Sequence, residues 1–340
     1  MFDRNILDKY DSHGMYKVYD KWPEIAKNSY EIDHKPLDLD IKHIVFVGMG
    51  GSGVVGDIFH SILSKTKIHV NVVRGYNLPT TVDENTLLIA TSISGNTQET
   101  LFVIDAAKKS GCKIIACSSG GKLEDYCLKN KLEFRKITEY HSPRASLPAF
   151  VYSLSKILKN TLRQNENDII DSIKQLQFLS EKISSNNLGD ENTSLELAKW
   201  ITGIPLIYYP AGLRASALRF KNCLHENAKI HAIAEEVLEA THNNIVAWEK
   251  TSDLQPFLLQ GADDHPKTKE RWKILKEYFE ESQIKYKEIH SIKGSILSKL
   301  IHLIYLFDYT TIYYAVLTKT DPSPIRSLDF VKKRLDWSRF

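Results

Sequence analysis

The stretch HIVFVGMGGSGVVGDIFHSIL, residues 43–63, decides the fold. His43 to Val47 is short and rich in Val and Ile, as a strand buried on both faces should be. Glycines interrupt it from Gly48 to Gly53, and Val54 to Leu63 resumes with helical spacing. A strand, a glycine loop and a helix in that order open a βαβ unit. The pattern recurs. His69 to Val73, Leu87 to Thr91, Lys113 to Cys117 and Leu132 to Ile137 read as further strands, with Thr97 to Ser110 as a helix between two of them. The expected fold class is α/β, a mostly parallel, doubly wound sheet with helices on both faces.

Beyond this domain, the polar stretch from about Ala149 to Trp200 has helical periodicity and no convincing strand. A second alternating series follows, with strands expected near Ile204 to Tyr209, Asn244 to Trp248, Pro256 to Gln260 and Tyr286 to Ile289. Helices are expected around Pro266 to Glu281 and Ser295 to Leu317. The boundaries so drawn are an N-terminal domain over 1–155, a helical connector over 156–195 and a C-terminal domain over 196–340. The first strand of the second domain leads into Pro210-Ala211-Gly212-Leu213, without a Gly-Ser cluster, so only the first copy looks equipped to hold an anion.

Length and charge agree with this division. The 340 residues suffice for two hydrophobic cores. With 45 Lys plus Arg against 42 Asp plus Glu, the net charge of +3 does not indicate a polyanionic partner such as nucleic acid. Cys112, Cys117, Cys127 and Cys223 make neither a CxxC pair nor a disulfide framework, which suits a reducing cytoplasm, and three of them look like buried small hydrophobes. Met1 to Tyr30 lacks the apolar core of a signal peptide. Ile296 to Leu317 is long enough to span a membrane but carries Lys299, His302 and Asp308, so a buried core or interface helix is expected and no membrane association.

The Gly48–Gly53 loop follows a strand and opens a helix, where free N–H groups and the helix dipole favour an anion. It also satisfies G-x-G-x-x-G through Gly48, Gly50 and Gly53, so a dinucleotide site is the rival. An NAD site wants an acid about 20 residues on, at the end of the second strand. The sequence offers Arg74 there, which weakens NAD and leaves NADP open. A second loop, Ser92-Ile93-Ser94-Gly95-Asn96-Thr97, again follows a strand and opens a helix, bringing the hydroxyls of Ser92, Ser94 and Thr97. These can surround a phosphate monoester, whereas a dinucleotide does not need them. The plainer alternative is that Ser92 and Thr97 cap the helix.

The pair GMGGSG and SISGNT resembles the phosphate-binding signature of sugar-isomerase (SIS) domains. With Ser142-Pro143-Arg144-Ala145, His225-Glu226-Asn227-Ala228-Lys229, Thr241-His242-Asn243 and Asp321-Pro322-Ser323-Pro324, in that order over roughly 40–335, the chain resembles the bifunctional phosphoglucose/phosphomannose isomerases. The resemblance implies two SIS domains, and an aldose-ketose isomerase that takes glucose 6-phosphate and mannose 6-phosphate to fructose 6-phosphate through a cis-enediol. Gly50, Gly51, Ser52, Ser92, Ser94 and Thr97 would hold the phosphate. Glu226 would be the base at C1 and C2, His242 would open the ring, Arg144 would stabilise the enediolate and Lys332 would contact sugar oxygens. No cofactor or metal is expected, and members are homodimers with the active site near the subunit interface, the partner lending the His.

These assignments have plainer counterparts. Arg214 to Lys229 has helical spacing, with Ala217, Phe220, Leu224 and Ala228 on one stripe and Glu226 opposite, where it could simply pair with Lys229. Arg144 could be a surface residue at a helix end, His242 a turn residue, and Lys332 part of a solvated basic run. The chain also departs from the family, which generally has Asn where His225 stands and Glu where Asn244 stands. Two rivals remain at this point: a sugar-phosphate sensor without turnover, and an NADP-dependent reductase.

Overall fold

The structure, a computed structural model, describes residues 2–335 and 337. Its chain forms two compact units, each with its own parallel sheet. One comprises Lys21–Ile169 and the stretch from Ile325 onward; the other comprises the stretch up to Asp20 and Ile170–Pro324. The linear boundaries at 155 and 196 are therefore crossed at both ends of the chain. Side chains supply the reason. Near the N-terminus Tyr19 is wholly buried, and its backbone carbonyl accepts a 2.7 Å hydrogen bond from Tyr305 of the second unit. At the other end, Trp337 packs against the apolar cluster of the first unit, with Lys122 Nζ 4.3 Å from the centre of its ring.

The first unit holds β1 (His43–Val47), β2 (His69–Val73), β3 (Thr86–Thr91), β4 (Lys113–Ser118) and β5 (Glu133–Lys136), in the order β2-β1-β3-β4-β5. All neighbours run parallel. β3, at the centre, is buried along its whole length, which is why its sequence is apolar without alternation. The chain leaves β1 toward β2 on one side and returns to β3 on the other. Their C-terminal ends thus flank the point where the strand order reverses, the crevice where open α/β sheets collect ligands. The helix Gly50–Leu63 buries Val54, Val55, Ile58 and Phe59, and Phe59 stacks on Phe46 of β1 at 5.3 Å.

The second unit holds β6 (Ile204–Tyr209), β7 (Ile233–Glu236), β8 (Leu254–Gln260) and β9 (Lys287–His290), all parallel, in the order β7-β6-β8-β9. With β5 left out, the first sheet has the same order, so the architecture repeats as expected. Two local expectations change. Asn244–Glu249 is a 3-10 turn rather than a strand, because Trp248 turns inward to donate 2.8 Å to the Tyr208 hydroxyl. β7 takes the place of that strand at the sheet edge. Its sequence, IAEE, is exposed to partly buried throughout and carries no apolar run to announce it.

The helix Ile296–Leu317 is long and apolar enough to cross a membrane, and 83% of its most apolar stretch is buried inside the protein. It packs against the helices Thr193–Trp200 and Arg214–Cys223, with Phe307 stacked on Phe220 at 4.3 Å. This is the core helix that Lys299, His302 and Asp308 argue for. Cys117, Cys127 and Cys223 are buried and Cys112 is partly so.

Candidate active site

Two loops of the first unit are joined into one cradle. The helix Gly50–Leu63 begins inside the glycine run, earlier than its apolar spacing suggests, and Met49 at its N-cap offers no side-chain cap. Gly50 has φ +51° and is exposed, and Gly51 is partly so, leaving the start of the helix accessible to an anion. Ser52 is 8% exposed, and its Oγ accepts a 3.2 Å hydrogen bond from Ile93 N–H, tying the first loop to the second.

In the second loop, the helix Gln98–Ala107 likewise has no side-chain cap. Thr97 stands at the N-cap, but its hydroxyl is 2.8 Å from that of Ser92. The simple capping role is therefore not the one adopted. Ser94 Oγ accepts from Asn96 N–H at 3.4 Å. Two uncapped helix ends with linked hydroxyls between them have the chemistry that suits a compact anion of high charge.

A third segment, Ser118-Ser119-Gly120-Gly121 after β4, braces the second loop. Ser119 Oγ donates to Ile93 O at 2.8 Å, and Leu123 N–H donates to Gly95 O at 2.9 Å. Gly95, at φ +69°, meets Gly120 so closely that a Cβ there would lie 1.7 Å from the Gly120 carbonyl oxygen. This segment is absent from the site residues expected above. Its signal was present, since it too is a Ser-Gly run directly after a strand.

Arg74, the residue that kept a 2′-phosphate in play, is committed elsewhere. Its guanidinium forms a close ion pair with the buried Asp57 and donates to Gly53 O at 3.2 Å. The arginine thus secures the helix behind the loop, which removes the feature that favoured NADP. Arg144 is 4% exposed and lies in the turn after β5. Ser146 Oγ organises that turn by accepting from Tyr140 N–H and donating to Ser142 O, each at 2.8 Å. A buried guanidinium, permanently charged, differs from the surface arginine of the plainer reading. Lys332 is exposed and ends the helix Arg326–Lys332, which belongs to the same unit.

Glu226 and His242 belong to the second unit. The helix Arg214–Cys223 runs on into a π-helical turn, Leu224–Ala228, a form that is rare and concentrated at functional sites. The expected stripe is confirmed, because Ala217, Phe220, Leu224 and Ala228 are all buried while Glu226 is partly exposed. Lys229, left-handed at φ +57°, closes the turn and donates from Nζ to the backbone carbonyls of Glu226 and Pro322. His225 has its Nε2 3.2 Å from the Ala232 nitrogen and 3.3 Å from its carbonyl oxygen. Desolvation lowers the His225 pKa, against an opposing contribution from Ala232. His242 is exposed, in the turn after the short helix Val237–Ala240. Nearby Asn244 Oδ1 accepts from Tyr208 OH, so one of the two residues that depart from the family pattern is itself held in place. Among the described residues no group of three or more His, Cys, Asp and Glu is placed to hold a metal ion.

Two family models and several known proteins match the chain. Residues 39–158 match the SIS domain model, and residues 190–335 match the model of the bacterial phospho-glucose isomerase C-terminal SIS domain. The chain is 33% identical over 336 residues to a bifunctional phosphoglucose/phosphomannose isomerase from Caldicellulosiruptor bescii, covering 94% of this chain and 98% of that one. It is 31% identical to a D-glucosamine-6-phosphate 4-epimerase from Sulfolobus acidocaldarius, over 68% of this chain and 72% of the relative. Among solved structures, a hypothetical protein from Thermus thermophilus shares the fold with a TM-score of 0.73 at 14% identity, over 97% of this chain and 92% of the other.

Proposed function

Because the chain belongs to the bifunctional phosphoglucose/phosphomannose isomerase family, we propose that it interconverts glucose 6-phosphate and mannose 6-phosphate with fructose 6-phosphate. The observation that carries this is the joined pair of loops with uncapped helix ends, which suits one phosphate monoester. Ser52, Ser92, Ser94 and Thr97 supply hydroxyls to the 6-phosphate, and Gly50 and Gly51 supply backbone N–H groups.

With the phosphate fixed, the other end of the open-chain sugar presents C1 and C2. Glu226 takes the proton from one carbon and returns it to the other while the hydroxyl proton passes between O1 and O2, and Arg144 stabilises the negative charge of the cis-enediolate between the two steps. His242 protonates the ring oxygen and deprotonates the anomeric hydroxyl when the ring opens, a task suited to an imidazole, whose two ring nitrogens can donate and accept a proton. Lys332 contacts the sugar oxygens. Proton transfer between adjacent carbons needs no redox cofactor, and none enters this scheme. The enzyme works in the cytoplasm as a homodimer whose active site lies near the subunit interface, with His242 lent by the partner.

The experiment is to incubate the purified protein with fructose 6-phosphate in EDTA and identify the products. Glucose 6-phosphate and mannose 6-phosphate are expected. A sugar-phosphate sensor would bind and return neither. A parallel incubation with glucosamine 6-phosphate separates this activity from that named for the epimerase relative. Absence of any aldose product at high enzyme concentration overturns the proposal.

A further inference from the structure

We propose that Asn227 and Thr311 are positioning residues for Glu226, the two fixing the π-helical turn that presents its carboxylate. This rests on the assignment of Glu226 as the base. The starting point is a buried polar cluster on the helix Ile296–Leu317. Asp308 is wholly buried and accepts from Arg219 Nε at 3.1 Å and Nη2 at 2.6 Å, and from the Tyr19 hydroxyl at 3.1 Å. Arg219 lies on the helix that continues into the turn bearing Glu226. One turn after Asp308, Thr311 Oγ1 donates to the Asp308 carbonyl at 2.7 Å and accepts from Asn227 Nδ2 at 2.9 Å. The segment carrying Glu226 is therefore held to that helix by polar side chains both before the turn, Ser216 and Arg219, and within it, Asn227.

Stability does not explain this arrangement. A buried ion pair is often no better than apolar residues of the same volume. Asn227, 0% exposed, also leaves its Oδ1 without a hydrogen-bond partner among the described residues, a cost that an apolar side chain would avoid. What the amide adds is direction. A π turn has one residue more than an α turn, and the Asn227–Thr311 bond fixes its rotation at the residue next to Glu226. Leu224 and Ala228, on either side in sequence, are buried but apolar and make no directional bond of this kind.

The test uses Thr311→Val, which keeps the shape and removes the hydroxyl, with Thr311→Ser as rescue. Turnover with fructose 6-phosphate should fall about 10-fold or more in Thr311→Val, since misplacement of a reacting group by an ångström costs up to about 100-fold. KM should stay within about two-fold, because the phosphate loops are untouched. Thr311→Ser should restore turnover. In a Glu226→Gln background, Thr311→Val should have no further effect, because its whole effect passes through that carboxylate. Unchanged turnover in folded Thr311→Val, or an equal loss in both backgrounds, overturns the proposal. Should Thr311→Val fail to fold, Thr311→Ala serves for the same comparison. Full activity of Glu226→Gln alone would instead remove the base assignment, so the two failures are distinguishable.

Discussion

Replacing Gly95 by alanine should disable the proposed phosphate loop while leaving the sheet beneath it intact. The added Cβ would sit 1.7 Å from the Gly120 carbonyl oxygen and 2.6 Å from its carbon, backbone atoms that cannot swing aside like a side-chain end. Ordinary contact begins at 3.4 Å, so the two loops must part by about 1.7 Å. Gly95 also has φ +69°, a left-handed conformation that costs an alanine roughly 1–2 kcal/mol. Parting the loops breaks the 2.9 Å bond from Leu123 N–H to Gly95 O and pulls Ser94 away from its neighbours. Displacements of this size cost about 100-fold in a positioned reaction, so kcat/KM for fructose 6-phosphate should fall by roughly that factor, with a lower melting temperature. Gly212→Ala, at a position with no heavy atom within 4 Å, should be close to neutral in both measurements. Steady-state kinetics and thermal unfolding of the two variants decide it. Wild-type kcat/KM in Gly95→Ala would refute the assignment of this loop to substrate phosphate.

The buried pair in the second unit gives a further expectation. Asp308→Asn would leave the Arg219 charge buried without its counter-ion, so denaturant unfolding should show a loss of about 3–5 kcal/mol. His302 gives another, in pH. Burial lowers its pKa to about 4, below the 6.5 of the unfolded chain. Between those values the unfolded state binds more protons, so stability falls as pH drops from 6.5 toward 4, by up to about 3 kcal/mol from this group. Urea midpoints at pH 7 and pH 4.5 should therefore lie closer together in His302→Leu than in the wild type.

Much of this molecule was legible in its sequence because the signals were local. β1 and β3 are buried on both faces and are therefore unbroken apolar runs, and the loops after them display their Gly and Ser residues openly. The helix Pro266–Glu281 occupies the residues its periodicity predicts. What escaped depends on contacts distant in sequence. β7 is an edge strand with little to bury, so IAEE carries no strand pattern. Asn244 to Trp248 looks like a strand until Trp248 finds Tyr208, 40 residues earlier. The exchange of chain ends between the units follows from Tyr19 meeting Tyr305 and Trp337 meeting the cluster around β3 and β4. The candidate site was legible in the same way. Ser52, Ser92, Ser94 and Thr97 stand in recognisable loops, whereas Asn227 gains its significance only through Thr311, 84 residues later.

The proposed mechanism depends on a carboxylate of the π-helical turn moving the proton between C1 and C2 of a sugar phosphate. Turnover of fructose 6-phosphate by Glu226→Gln, measured beside its binding affinity, tests this most directly. Affinity should stay close to wild type and turnover should fall about 100-fold or more. Wild-type turnover in the folded variant would contradict it.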